Sequence, residues 1–412
     1  MPSPRAHPLA VSRSARLANR AIEAIWRTGI DQKPPLEPDY LWKIGAKGFG
    51  DGDERSARSD EDVADFRLRV ARLCASLNDE AALNAFGHTM AYGQLTAAIR
   101  KRHALGRLWR ERPELLEGQI AAPIIVVGQM RSGTTRIHRL LAADPAHAGT
   151  RFCDSFDPVP KRFDYRPLKA AAALTIARRI NPWLGALHPF GATRADEEIG
   201  WLSAALSPCA YEAQWRIPSF VAWSEARDPS PTYREFARIL RSDTATRRNA
   251  QRRRVLKCPQ FAEDMPSLFK QFPTALTVVA RRRSDAVLES SVSLVSSQAA
   301  FQSDARDLAA IRLEWERKLA LRDRRMTSAL EGHTGAVALA DFTALSTNWR
   351  EAIAEIYRQL GLELTSDALT AMDREHQNRS HSATVVVPGL VPKQGQAARR
   401  PIPGTTEPTR VR

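Results

Sequence analysis

The chain is expected to fold as an α/β protein: a parallel sheet flanked by helices, with an N-terminal helical region and a helical insertion. Three observations predict it. The run Ile124-Ile125-Val126-Val127 is short, apolar and β-branched, the composition of a strand buried on both faces. Comparable runs recur at Val255-Leu256, Leu276 to Ala280 and Ala336 to Ala340, each followed by a helical pattern. A glycine-bearing turn joins the first run directly to a helix. Repeated strand–helix alternation argues for a parallel sheet covered on both faces.

Along the chain, residues 1–20 read as a flexible N-terminus, basic at Arg5, Arg13, Arg16 and Arg20. Residues 21–120 read as helical. Leu68, Ala71, Leu73 and Leu77 are followed by Leu83, Phe86 and Met90 with polar residues between them. After the first strand a helix is expected near 134–143, with Ile137, Leu140 and Leu141 on one face and Asp144-Pro145 ending it. Later helices are expected near 261–271, 285–297 and 349–360. Asn348 and Glu351 are spaced as a capping pair for the last, and Gly361 stands at its end. The stretch 150–250 breaks this rhythm. It is helix-rich and carries Trp183, Trp201, Trp215 and Trp223. It is read as an insertion over the strand ends, where such sheets bind ligands. Its aromatics, which also include Phe152, Phe156, Phe163, Phe190, Tyr211, Phe220 and Tyr233, could line an acceptor pocket. Residues 394–412, rich in Pro, Arg and Thr, read as a flexible tail.

The 412 residues are 43% hydrophobic, enough to bury a sizeable core, and the formal net charge is +15. That sign fits nucleic acid, an acidic membrane surface or a polyanionic small molecule. The basic runs Arg252-Arg253-Arg254 and Arg281-Arg282-Arg283 lie at strand boundaries rather than interleaved with aromatics on one face, which favours small-anion sites over nucleic acid. The four cysteines form no CxxC pair and the nine histidines include no HExxH, so neither a disulfide framework nor a zinc site is expected. No stretch approaches transmembrane length, and a soluble, cytoplasmic protein is the expectation.

The turn after the first strand reads Gly128-Gln129-Met130-Arg131-Ser132-Gly133-Thr134-Thr135. Backbone N–H groups between a strand and a helix N-terminus can converge on an anion. Compared with GxxxxGK[ST], Gly128, Gly133 and Thr135 fall on pattern, but Thr134 stands where the lysine belongs, and Arg131 brings a cation earlier. A triphosphate with magnesium is poorly served by that change. The loop suits a shorter anion that needs its cation on another side. Arg131 to Thr135 resembles the 5′-phosphosulfate loop of PAPS-dependent sulfotransferases (PAPS being 3′-phosphoadenosine 5′-phosphosulfate), which adopt a P-loop NTPase-like fold.

The resemblance implies that Arg131 contacts the transferring sulfuryl group while Ser132, Gly133, Thr134 and Thr135 cradle the 5′-phosphate. The family holds the 3′-phosphate with an Arg at a strand end and a Ser eight residues later, a spacing met by Arg282 and Ser290. An arginine fork suits phosphate through paired charge-assisted bonds; Arg281 or Arg283 takes the role if the register slips by one. The likeness runs from about residue 65 to 375 and is similar to the bacterial branch, placing a sulfotransferase domain at 121–393. In that branch Leu256-Lys257-Cys258-Pro259 matches a strand-end turn, which makes Lys257 a second cation at the sulfuryl group. Pro259 stands where the animal cytosolic branch has its catalytic His. The general base is therefore sought in His188-Pro189-Phe190-Gly191 through Asp196-Glu197-Glu198, with Glu197 favoured and His188 and Glu198 behind it. The implied activity is sulfuryl transfer from PAPS to a hydroxyl or amine of a small-molecule or carbohydrate acceptor, without metal. A P-loop-like small-molecule kinase, with Asp341 as the nearest Walker B carboxylate, and a non-catalytic member of the fold are the alternatives.

Overall fold

The computed structural model describes residues 5–380. Five strands form one parallel sheet: β1 (Ile124–Val127), β2 (His147–Gly149), β3 (Arg253–Lys257), β4 (Leu276–Arg281) and β5 (Val337–Asp341). Their order is β2-β3-β1-β4-β5, so β1 is central. Ile125 pairs with Leu256 on one side and with Thr277 on the other. Because β1 has later strands on both flanks, the chain leaving its C-terminal end emerges at the switch point of the sheet, where a crevice opens. The four expected strands are present. β2 escaped sequence reading because it has only three residues, His147-Ala148-Gly149, and no apolar run.

Both faces of the sheet are covered. Ile124, Val126, Val255, Val278 and Ala338 pack under the helices Thr134–Ala143, Trp349–Gln359 and Ser366–Ser380. Ile125, Val127, Leu256 and Val279 pack against Trp201, Phe236, Phe261 and Met265. This double burial is why the strands read as continuous apolar runs rather than alternating ones. The Asn348 carboxamide accepts the Glu351 N–H at 3.4 Å, and Gly361 takes φ +64° beyond the helix end.

The N-terminal segment is more ordered than its composition implied. A helix runs Arg13–Arg27, capped by Ser12. Arg5 is buried and donates to the Ser293 carbonyl at 3.0 and 3.1 Å and to the Ser293 hydroxyl. The expected tail at 394–412 lies outside the described residues.

The insertion between β2 and β3 is helical, as expected, and several of its aromatics are core. Tyr211, Trp215 and Phe220 pack with Leu41, Phe66, Leu73 and Leu95 of the N-terminal helices, while Trp201 and Tyr233 lie in the core beneath the sheet. These rings fasten the insertion to the rest of the chain instead of lining a pocket. Among the described residues no helix is long and apolar enough to cross a membrane. All four cysteines are free and buried.

Candidate active site

A cavity of about 480 Å³ opens at the C-terminal end of the sheet. Its floor is the β1–helix turn. Gly128 takes φ +144° and Gly133 φ +98°. A Cβ on Gly133 would lie 2.8 Å from Cδ2 of Phe342, so the position requires both the conformational freedom and the small volume of glycine. Arg131 also sits at positive φ, +70°, unusual for a residue with a side chain and held there by its surroundings. The Arg282 guanidinium donates to the Arg131 carbonyl at 2.7 Å. The Arg131 side chain donates to the Ser290 hydroxyl at 2.9 Å and to the Leu187 carbonyl at 2.6 Å. Ser132 is buried and closes the turn by donating to the Gln129 carbonyl at 2.6 Å. Thr134 and Thr135 open the helix Thr134–Ala143, with N–H groups of its first turn at the cavity floor.

The structure therefore gathers the sequence-predicted residues around one point. Lys257, at the end of β3, lines the same cavity as Arg131. Its Nζ is 3.4 Å from the Thr135 hydroxyl and 2.9 Å from the Glu197 carboxylate. Burial, together with the nearby Arg282, draws Arg131 below the usual guanidinium range, and the Glu197 carboxylate opposes this. Arg282 lies 4.1 Å over the Phe342 ring. Arg281 is exposed and Arg283 pairs with Asp285 at 2.7 Å on the surface, whereas Arg282 lines the cavity.

The carboxylate segment is also held by design of the local sequence. Arg139, on the helix Thr134–Ala143, donates to the Ala195 carbonyl at 3.0 Å and the Pro189 carbonyl at 2.9 Å, and lies 3.4 Å from Asp196. His188 presents Nε2 to Asp196 at 3.1 Å and Nδ1 to Glu197 at 3.5 Å. Burial works to raise the Asp196 carboxyl, but His188 and Arg139 bring it below the usual carboxylate range. Glu198 differs from Glu197. It is fully enclosed, accepts the Lys257 N–H at 2.7 Å, and is pushed up to about 8 by burial. It therefore positions β3 and does not face the cavity.

His188, Asp196 and Glu197 bring ligand atoms within 4.8 Å of one another. The donor set fits a divalent ion poorly, because Lys257 already neutralises Glu197 and Arg139 already neutralises Asp196.

Sequence reasoning missed part of the wall. Met130, Leu187, Leu294, Trp315 and Phe342 give the cavity its apolar surface, and Arg136 and Arg194 add cations. Trp315 comes from the helix Leu308–Glu331, and Phe342 is the residue that follows the last strand. Position immediately after a strand end was the available signal for Phe342.

A central strand opening through a glycine turn into a helix defines the class: a P-loop-like α/β protein with its cavity at the switch point of the sheet. The particular family follows from comparison with known proteins. The model of the sulfotransferase family matches residues 123–367, well over half of the chain, and the chain belongs to that family. Among solved structures it is similar to sulfotransferase STF1 from Mycobacterium tuberculosis H37Rv, at 27% identity and TM-score 0.74, over 84% of this chain and 94% of that one. It also shares its fold with sulfotransferase STF9 from Mycobacterium avium, at 20% identity and TM-score 0.74, over 84% of this chain and 89% of that one. No curated protein matches the chain.

Proposed function

We propose that the chain transfers a sulfuryl group from PAPS to a hydroxyl or amine of a small-molecule or carbohydrate acceptor. One observation supports this reading: Arg131 of the glycine turn and Lys257 line the same cavity, with Glu197 beside Lys257. PAPS supplies an activated sulfur whose bridging oxygen leaves with the nucleotide. The N–H groups of Gly133 to Thr135 and the positive end of their helix receive the 5′-phosphate. Arg131 and Lys257 neutralise charge on the sulfuryl oxygens and the leaving oxygen, the work that metal ions do in many phosphoryl transfers. Arg282 and Ser290 receive the 3′-phosphate. Both now engage Arg131, so donor binding exchanges bonds within the protein for bonds to the anion. Glu197 takes the acceptor proton, with His188 and Asp196 steadying its orientation. No metal is required, since the cations are side chains.

The kinase alternative loses its metal-holding carboxylate. Asp341 caps the next helix, accepting the N–H groups of Thr343 and Ala344 at 2.8 and 2.9 Å. The test is calorimetric binding of PAP, the desulfated product, against ATP with magnesium. Wild type should bind PAP without metal, and Arg282→Ala should weaken it roughly 10–100-fold, the range for charge-assisted bonds. Preference for ATP with magnesium, or PAP affinity indifferent to Arg282, would remove the PAPS assignment.

A further inference from the structure

The helix Arg166–Ile180 is covered on one side only, and large apolar side chains remain on its uncovered side. Of its buried residues, Ala170 and Leu174 pack with Phe152 and Cys153, while Arg166 pairs with Asp164 and Asp154. On the opposite side Leu168 and Ile176 are 69% and 64% exposed, and Ala172 lies between them in the same row. Phe163 and Tyr165, in the turn leading into the helix, are 63% and 57% exposed. Four large apolar side chains this exposed on one short segment form a patch that a soluble surface rarely carries without a partner.

The surroundings of the patch identify that partner. Lys161, Arg162, Lys169 and Arg179 are exposed around it. The neighbouring helix Arg13–Arg27, tied to it by the Ser12 hydroxyl donating to the Ile180 carbonyl at 2.6 Å, adds exposed Arg13, Arg16, Arg20 and Arg27. An apolar strip with basic neighbours is complementary to a layer that is apolar inside and anionic at its surface. Apolar side chains ringed by cations can seat in the interface of a bilayer, inserted roughly 5–10 Å. The segment also stands close to the chemistry. From the half-exposed Phe156 a row of rings passes inward through Phe152 (centroids 4.6 Å apart) and Phe190 (5.4 Å) to His188 (4.2 Å).

We propose that the helix Arg166–Ile180 and the turn before it dock on an anionic phospholipid bilayer. Docking there places the wall that carries His188 at the membrane, where an amphiphilic alcohol or amine could be presented to the apolar cavity. The docking surface shares no residue with the donor site and stands whatever the donor is.

The experiment is co-sedimentation of the full chain with vesicles of phosphatidylcholine alone, or with about one third phosphatidylglycerol, at low and at about 1 M salt, where the screening length is only ~3 Å. Wild type should bind the anionic vesicles and release at high salt. Leu168→Glu combined with Ile176→Glu should weaken binding at least tenfold, with the melting temperature unchanged because both positions are exposed. No preference for anionic vesicles, or binding untouched by the double substitution, overturns the proposal. So does a wild-type dimer that the same substitutions render monomeric, since a second copy would then be what covers the face.

Discussion

Glu198 offers the sharpest test of how the site is built. Its carboxyl is enclosed, and burial, opposed by the Lys257 N–H bond and the nearby Arg254, leaves it at about 8 in place of the ordinary 4.5. In the folded chain it therefore holds a proton through neutral pH, whereas in the unfolded chain it has already released that proton. Its contribution is fully present below about pH 4.5 and is lost as pH climbs toward about 8. One proton retained only by the folded state tilts stability by about 1.4 kcal/mol per pH unit. From about pH 5.5 to 7.5 the wild type should lose roughly 3 kcal/mol that Glu198→Gln does not lose. The amide keeps an acceptor for the Lys257 N–H, and comparing slopes cancels any fixed effect of the substitution. Urea unfolding of both proteins at three pH values reads this directly. Parallel slopes would mean that Glu198 is ionised in the folded state and that the neutral-carboxyl account is wrong. The consequence for catalysis is direct. With Glu198 neutral and Glu197 paired, the field of Lys257 is not cancelled by two anions before the donor arrives.

Three further outcomes follow from the same geometry. Arg131→Ala should lower kcat by about 10²–10³ while weakening PAP far less, because its charge acts on the group in transit; steady-state rates with calorimetry separate the two, and an intact kcat would remove its role. Gly133→Ala should reduce PAP affinity about tenfold and lower the melting temperature, since φ +98° strains alanine and its Cβ meets Phe342, the ring under Arg282. Glu197→Gln should cut kcat roughly 10²-fold or more in steady-state assays; a larger loss in His188→Asn than in Glu197→Gln would transfer the base to His188.

The parts of this architecture that were legible in the sequence are those where local chemistry and tertiary demand coincide. Ile124 to Val127 is buried on both faces, so its composition alone marked it as a central strand. Arg131 to Thr135 was legible because an anion-binding turn needs glycine and hydroxyls at fixed offsets, and Lys257 because Leu256-Lys257-Cys258-Pro259 resembles a strand-end turn of bacterial sulfotransferases. Residues that act through distant contact were not legible. Arg139 looks like any helix arginine, and only the fold shows it holding the Pro189 and Ala195 carbonyls. Trp315 joins the cavity from a helix well over a hundred residues beyond the glycine turn. The aromatics of the insertion misled for the converse reason. Composition cannot distinguish a ring that faces a ligand from one that fills a core, and Trp201, Trp215 and Tyr233 fill cores.

Arg5 reaches into the molecule and grips Ser293, one helical turn from Ser290 on the helix Ser284–Gln302. Arg5 and Arg131 are thus fastened to opposite ends of a single turn. One short stretch of helix ties a residue nearly three hundred positions away in sequence to the wall of the cavity, so the placement of Arg131 draws on contacts far outside the glycine turn.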